Sequence, residues 1–280
     1  DMAMLVYTSG TSGKPKGVVM SHFWFDYVTT GWVNTFRLTR TDRMFVTSPF
    51  FYINGSVVTT LAAFRIGATV VLMERFKAVD ALDVITRFRP TATCMVPTVV
   101  VQLLEAYDPT KHDVSSMRTF FTAGAPCAAE IKRRLTATFG WAEREIYGAS
   151  EAHMLAAGTP GTPMRPGMIG VPGANVRLRL VDDTGKDVAD GTPGEIWCTG
   201  DTLTSGYWQR PEETAAAFVE GWYRTGDLGV RDAEGYLKIV GRKKEMIITG
   251  GANVYPAEVE KTLAEHPKVA MAALIGVPDP

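Results

Sequence analysis

Between residues 92 and 147, three short apolar runs alternate with two stretches of helical spacing, and this pattern restricts the fold more than any other feature. The first run is Ala92-Thr93-Cys94-Met95-Val96, and Pro97 follows it directly. Proline suits the first turn of a helix, where its missing N–H would be unpaired anyway. Val100, Leu103, Leu104 and Tyr107 then recur at helical intervals, so a helix is expected there. A strand at 119–122, a helix carrying Ile131, Leu135 and Phe139, and a strand at 145–147 repeat the scheme. Units of this kind join parallel strands in one sheet through right-handed crossovers. Ligands of such sheets bind outside the carboxyl ends of the strands, which points to the loops 123–126 and 148–151.

The character changes near Pro160, where Gly and Pro become frequent. Val176-Arg177-Leu178-Arg179-Leu180 alternates with period two before a turn at Asp183-Thr184-Gly185, and further strands are expected at 195–198 and 236–240. This predicts a mostly antiparallel subdomain over about 160–241. Beyond it, a strand at 246–249, a helix from Pro256 with Val259 and Leu263 on one face, and a strand at 269–277 are expected. The fold class is therefore α/β: a parallel βαβ core with a β-rich subdomain, residues 1–241, then the start of a small α+β domain, 242–280. The opening run Met2-Ala3-Met4-Leu5-Val6-Tyr7 reads as a core strand with nothing before it, as in a fragment of a longer chain.

Charge excludes one class of partner. With 29 Lys+Arg against 30 Asp+Glu, the net charge is −1, and no electrostatic footprint for nucleic acid is present. Cys94, Cys127 and Cys198 are too scattered for a zinc site or a disulfide framework, so buried free thiols and a cytoplasmic location are expected. No transmembrane segment is expected, because no stretch approaches the roughly 20 apolar residues of a membrane span.

The strongest local signal is Tyr7-Thr8-Ser9-Gly10-Thr11-Ser12-Gly13-Lys14-Pro15-Lys16-Gly17, placed directly after an apolar run. Its glycines let backbone N–H groups turn towards one anion, while hydroxyls and two lysines add donors and charge. A Walker A loop is excluded: two residues, not four, separate Gly10 from Gly13, and Pro15 follows Lys14 where that motif needs Ser or Thr. A mobile, extended loop that closes over a polyphosphate is expected instead; a polar surface turn is the alternative.

This segment resembles the phosphate-binding signature of the adenylate-forming, or AMP-binding, enzymes: acyl- and aryl-CoA synthetases, adenylation domains and luciferases. Further stretches resemble the family in its own order. They are Ala123-Gly124-Ala125-Pro126, Tyr147-Gly148-Ala149-Ser150-Glu151, Gly194-Glu195-Ile196-Trp197, Gly221-Trp222-Tyr223-Arg224-Thr225-Gly226-Asp227-Leu228 and Gly241-Arg242-Lys243-Lys244-Glu245. The resemblance implies that Thr8, Ser9, Gly10, Thr11, Ser12, Gly13 and Lys14 hold phosphates. Tyr147 and Gly148 with the Gly124, Ala125 and Pro126 loop would enclose adenine, and Ser150 would touch the α-phosphate. Glu151 would ligate Mg²⁺, and Asp227, expected in a tight turn, would accept the ribose hydroxyls. Arg242 would touch ribose or phosphate, Lys244 would be a hinge, and the loop at Gly250 and Gly251 would line a coenzyme A tunnel. Taken alone, Tyr147 and Glu151 read as a core aromatic beside a solvated acid, Asp227 as a turn former, and Arg242 to Lys244 as a solvated basic turn.

Ser48-Pro49-Phe50-Phe51-Tyr52-Ile53-Asn54-Gly55 resembles the acyl-pocket segment, which implies a pocket of Tyr52, Ile53, Gly55, Gly124 and Ala149. Tyr52 cannot pair with a substrate ammonium, and apolar Ile53, Val57 and Val58 suit a fatty or aryl chain, while the same stretch also reads as a buried helix start. The expected activity is ATP-dependent activation of a small-molecule carboxylate, then transfer to coenzyme A. A carrier-protein thiol, a nucleotide-binding protein without catalysis and a homo-oligomer stay open. Thr8, Lys14 and Glu151 are the candidate catalytic residues, acting by positioning and charge and not as nucleophiles. In the resembled enzymes an adenylation lysine lies beyond the point reached by Pro280. Carboxylate-dependent pyrophosphate exchange by the 280 residues alone is accordingly expected to stay near background, and robust turnover would overturn this.

Overall fold

The computed structural model describes residues 1–8, 14–165, 167–249, 252–264, 266, 269 and 272–277. Its larger sheet, among the described residues, has the strand order Thr69–Leu72, Arg43–Val46, Ala92–Met95, Thr119–Thr122, Glu143–Tyr147, Ala156–Ala157, Val171–Pro172. Pairing is parallel through the first five strands, as the alternation predicts, and antiparallel at the last two. Successive side chains of a strand point to opposite faces. Met44, Cys94 and Phe121 accordingly enter one core while their neighbours Phe45, Met95 and Phe120 enter another.

Each core is closed by helices. On one side His22–Thr35 presents Trp24, Val28 and Trp32 at intervals of four, and Ser21 starts the helix by accepting the Trp24 N–H at 3.1 Å. On the other side Ala78–Phe88, Pro97–Ala106 and Ala129–Phe139 contribute Leu82, Ile85, Leu103, Leu135 and Phe139. A sheet buried on both faces can carry consecutive apolar residues, which is why these strands read as continuous runs.

Strand order also fixes where a ligand can enter. The chain passes from Arg43–Val46 outward to Thr69–Leu72, then crosses back to Ala92–Met95 on the other flank of Arg43–Val46. The strand order therefore reverses between Arg43–Val46 and Ala92–Met95, and sheets of this kind bind ligands outside the strand carboxyl ends at such a switch point, here termed the crevice. Residues 47–55 leave the first of these strands at that crevice. They lead into a π-helical segment, Asn54–Leu61, where the Thr59 and Thr60 hydroxyls bond the Asn54 and Gly55 carbonyls at 2.7–3.0 Å.

The β-rich part is antiparallel throughout its pairings. Val176–Val181, Gly194–Gly200, Trp222–Arg231 and Phe218–Val219 follow one another across the sheet, and Leu237–Arg242 pairs with Trp222–Arg231. Leu180, Ile196 and Leu237 form one small core beneath it, and Val176, Cys198 and Tyr223 another. A hairpin of Ile247–Thr249 and Ala252–Val254 and the helix Pro256–Ala264 come last.

Two expectations are corrected. Met2–Thr8 is a strand, but it pairs with Lys16–Ser21 in a two-stranded ribbon outside the main sheet. A ribbon of two strands buries only one face, so Val6 is fully enclosed while Tyr7 is 61% exposed. Residues 269 and 272–277 form no strand: Ile275 and Val277 are each 76% exposed, and the Leu274 N–H goes to the Glu260 carboxylate at 2.9 Å instead of to a neighbouring strand. The three cysteines are buried free thiols. No described helix is long and apolar enough to cross a membrane.

Truncating Phe121, fully enclosed and tilted against Phe36 with ring centroids 4.0 Å apart, should cost about 3–5 kcal/mol in urea unfolding. Phe64→Ala, at a site 63% exposed, should stay within about 0.5 kcal/mol. Equal losses from the two would contradict the assigned core.

Candidate functional site

The glycine-rich stretch links the two strands of the ribbon in the sequence. Thr8 pairs with Lys16, so the loop leaves and returns at neighbouring positions. Ser9, Gly10, Thr11, Ser12 and Gly13 lie outside the described residues; Lys14 is exposed at the return. The base of this hairpin is strapped down by residues 202–208. Trp208 N–H donates to the Gly17 carbonyl at 2.7 Å, Val19 N–H to the Gly206 carbonyl at 2.9 Å, and Val18 bridges Tyr207.

The same strap reaches Glu151. Leu203 bridges Ala152, and the Thr204 N–H and hydroxyl donate to the Glu151 carbonyl at 2.9 and 3.1 Å. Tyr207 donates its hydroxyl to Glu151 Oε1 at 2.8 Å, and the Lys16 ammonium stands 4.1 Å from the Tyr207 ring centroid. Burial, then the Glu151 charge, raises the Tyr207 pKa, so its hydroxyl stays a donor. Behind Glu151, His153 accepts the Trp32 indole N–H at Nε2, 2.8 Å away; burial lowers its pKa to about 4, which keeps the ring neutral. The Thr202 hydroxyl donates to the His153 carbonyl, and Trp24 holds Thr202 by its indole N–H at 2.8 Å.

Tyr147 ends the strand Glu143–Tyr147 and donates its hydroxyl to Asp227 Oδ2 at 2.8 Å. The Asp227 Oδ1 atom meets Arg242 Nε at 3.0 Å. The tight turn expected at Asp227 is a bulge inside Trp222–Arg231. Trp197 faces Arg224 and Glu195 faces Leu228, leaving Thr225, Gly226 and Asp227 opposite Ile196. Gly226, with φ +71°, makes the excursion, and the Thr225 hydroxyl bonds the Ile196 carbonyl at 2.8 Å. A bulge re-aims a side chain without reversing the chain. Asp227 is 7% exposed, and its pKa is raised by burial against the opposing Arg242 charge, with smaller contributions from Glu245 and Glu151.

Gly124, Ala125 and Pro126 are exposed beyond the strand Thr119–Thr122. A buried ionic cluster backs this loop. Lys132 Nζ lies 2.5 Å from Glu145 Oε2 and 3.4 Å from Glu143 Oε2, the Cys127 N–H donates to Glu145 Oε1 at 3.3 Å, and Thr122 donates to Glu143. Burial opposes the Lys132 charge, but Glu145 and Glu143 outweigh it and hold its pKa up.

At the crevice, Asn54 Nδ2 donates to Ser48 Oγ at 3.0 Å and to the Cys94 carbonyl at 3.1 Å, which ties residues 47–55 to the Ala92–Met95 strand. Asn54 Oδ1 and Thr47 Oγ1 are buried polar atoms with no hydrogen-bond partner among the described residues. Gly55 abuts the preceding loop so closely that a Cβ would come within 2.4 Å of the Ser48 carbonyl oxygen. Phe51 and Tyr52 are 68% and 55% exposed, with rings 4.5 Å apart, and Ile53 is buried. Val57 and Val58 pack inside the core beside Trp24 and Trp32, so they do not offer an open apolar wall.

One network thus joins Thr8 and Lys16 through Tyr207 to Glu151, and a second joins Tyr147, Asp227 and Arg242. Ala149 and Ser150 lie on the connection between Tyr147 and Glu151, and Gly148 is exposed there. Lys243 is not a solvated cation: it pairs with Glu195 at 3.0 Å and Asp183 at 2.9 Å. Lys244 is exposed, and Gly250 and Gly251 lie outside the described residues. Tyr207, Thr204 and Lys132 are missed by the sequence reading, because Tyr207 meets Glu151 across 56 positions and no spacing rule connects them. The donor set suits Mg²⁺, which takes one or two carboxylates with substrate phosphates. Glu151 Oε2 accepts no hydrogen bond among the described residues, where no group of three or more His, Cys, Asp or Glu gathers for a metal.

Residues 1–208 match the family described as AMP-binding enzyme. The chain is 38% identical over 275 residues to an indoleacetate–CoA ligase of Aromatoleum aromaticum, covering 98% of this chain and 54% of the relative. It is 40% identical over 284 residues to a sulfoacetate–CoA ligase of Cupriavidus necator, covering 99% and 55%. The crystal structure of ATP-bound MatB from Rhodopseudomonas palustris superposes with a TM-score of 0.92 at 33% identity, over 99% of this chain and 55% of that one. The chain spans about half the length of the curated relatives it matches. With this match over most of its length, and with the α/β architecture shared with those structures, the chain belongs to the AMP-binding enzyme family.

Proposed function

We propose that this chain is the nucleotide-gripping portion of an ATP-dependent carboxylic acid–CoA ligase for a fatty or aryl acid. The observation that carries the proposal is the strap at 202–208, which ties the base of the glycine-rich hairpin to Glu151. Tyr147, four residues before Glu151, donates to Asp227 at 2.8 Å, which supports reading the groups suited to phosphate, metal and ribose as one cleft. Relatives named as ligases of indoleacetate, sulfoacetate and ferulate support the reaction class.

In the first step a carboxylate oxygen attacks the α-phosphorus of ATP and the bond to pyrophosphate breaks. In the second, a thiol attacks the carbonyl of the acyl-adenylate, and AMP leaves. Neither step requires a protein nucleophile. Thr8, Lys14 and the amides of the loop at 9–13 hold the phosphates. Tyr147 and the 124–126 loop enclose the base. Asp227 has two of its lone pairs committed to Tyr147 and Arg242, and the remaining ones accept the ribose hydroxyls. Glu151 is the carboxylate that would hold Mg²⁺, which when bound neutralises phosphate charge. Tyr52 and Ile53 border the acyl site, Lys244 serves as the hinge of a small domain from 242 onward, and Gly250 and Gly251 are assigned to the thiol site by the family resemblance alone. The buried free thiols accord with a cytoplasmic location.

The intact protein, incubated with ATP, Mg²⁺, coenzyme A and a panel of fatty and aryl carboxylates, should form AMP and an acyl-CoA. AMP formation only with a phosphopantetheine carrier protein would move the acceptor from free coenzyme A, and nucleotide binding without any acyl transfer would defeat the ligase assignment. Glu151→Gln should lower kcat/KM by about 100-fold, the size expected for removing one preorganised charge from a polar transition state.

Asp227→Asn separates function from stability. A carboxylate whose pKa is raised in the folded state favours folding when protonated, and that contribution is lost as pH rises through the folded pKa. The asparagine variant should therefore unfold at the same or a higher temperature than the parent at pH 7. Its advantage should shrink as pH falls and vanish below the ordinary Asp value of 3.8. Its ATP KM should rise about tenfold, as a lost charge-assisted contact implies. A variant that loses stability at pH 7 while keeping its ATP KM would contradict the assignment.

A further inference from the structure

We propose that Tyr207 is a positioning residue for nucleotide binding, acting through Glu151 to hold that carboxylate in register with the glycine-rich hairpin. The inference rests on the reading of the cleft as an ATP site. Three separate contacts meet on this one side chain and its backbone. The hydroxyl donates to Glu151 Oε1 at 2.8 Å, leaving Oε2 without a hydrogen bond among the described residues. The ring lies under the Lys16 ammonium at 4.1 Å, and among the described residues Lys16 has no carboxylate within ion-pair distance. The backbone bridges Val18, and the next N–H donates to the Gly17 carbonyl at 2.7 Å.

The geometry makes Tyr207 a spacer. A carboxylate that must face a metal beside a phosphate loses effectiveness if it rotates, because its charge is directed through particular lone pairs. At Glu151 the backbone is already clamped by Thr204, so the remaining freedom is rotation of the side chain. Tyr207 removes that rotation by occupying one oxygen, and it does so from a residue fixed to the hairpin that carries Thr8 and Lys16. Tyr207 is 6% exposed and its amide is held by the Thr214 hydroxyl at 3.0 Å, so the spacer is itself rigid. Movement of the hairpin relative to Glu151 is thereby restrained at two points, the ring and the hydroxyl.

The test is equilibrium titration of the intact protein with AMP alone, ATP alone and ATP with Mg²⁺. Tyr207→Phe keeps the ring beneath Lys16 and the backbone bridge, and loses only the hydroxyl. It should bind AMP within about twofold of the parent and MgATP about tenfold more weakly, the loss expected for one charge-assisted hydrogen bond. Tyr207→Leu, which also removes the ring, should weaken MgATP further while leaving AMP within the same range. In a double-mutant cycle, Glu151→Gln with Tyr207→Phe should be no weaker than Glu151→Gln alone, because the tyrosine has nothing left to position. Equal losses on AMP and MgATP, additive effects in the cycle, or undiminished MgATP affinity in Tyr207→Phe would each overturn the inference. A parent protein that binds neither nucleotide would instead overturn the ATP-site reading itself.

Discussion

Two carboxylates kept out of water, Glu151 and Asp227, set the terms for everything around them. Each is 7% exposed, and a buried negative charge is costly unless donors surround it. The fold meets this with tyrosines: Tyr207 donates to Glu151 and Tyr147 to Asp227, while Arg242 adds a full positive charge on the Asp227 side. Neutral donors such as these tyrosines stabilise a carboxylate without cancelling its charge. The raised pKa of Asp227 is the sign that compensation is incomplete.

The scaffolding that holds these carboxylates is divided between the two structural layers. Glu151 and Tyr147 follow the parallel sheet, whereas Asp227, Arg242 and Tyr207 come from the β-rich part and its lead-in. Between them run the Tyr207–Glu151 and Tyr147–Asp227 hydrogen bonds, beside an apolar contact in which Ala152 and Leu155 pack with Val176, Cys198 and Tyr223. The Lys132–Glu143–Glu145 cluster plays a comparable part for the 124–126 loop, with Glu145 accepting the Cys127 N–H just beyond it. Polar networks of this sort are demanding: removing one partner strands the others in a low-dielectric setting.

Much of the parallel core was legible in the residues. Phe120 and Phe121 sit side by side in the sequence and both are fully buried, which only a sheet covered on both faces accommodates. Pro97 opens its helix as expected, and the 119–122 strand has the anticipated limits. Failures came where apolar content was mistaken for burial or for pairing. Tyr7 lies on the outer side of a two-stranded ribbon, and Ile275 and Val277 face outward. At Asp227, Gly226 signalled a change of direction, but periodicity cannot separate a bulge from a turn, because both need the same positive φ.

The sequence by itself determined the local parts: which runs become strands, where helices begin, and that a hydroxyl-rich glycine loop precedes a lysine. It also carried enough motif order to identify the family. Only the tertiary structure decided that Tyr207 meets Glu151 across 56 positions, that Arg242 pairs with Asp227, and that residues 47–55 open onto the point where strand order reverses. The physical reason is that local conformation follows from short-range sterics and hydrogen bonding, whereas these meetings depend on how strands are ordered and sheets are stacked. No periodicity along the chain encodes that order.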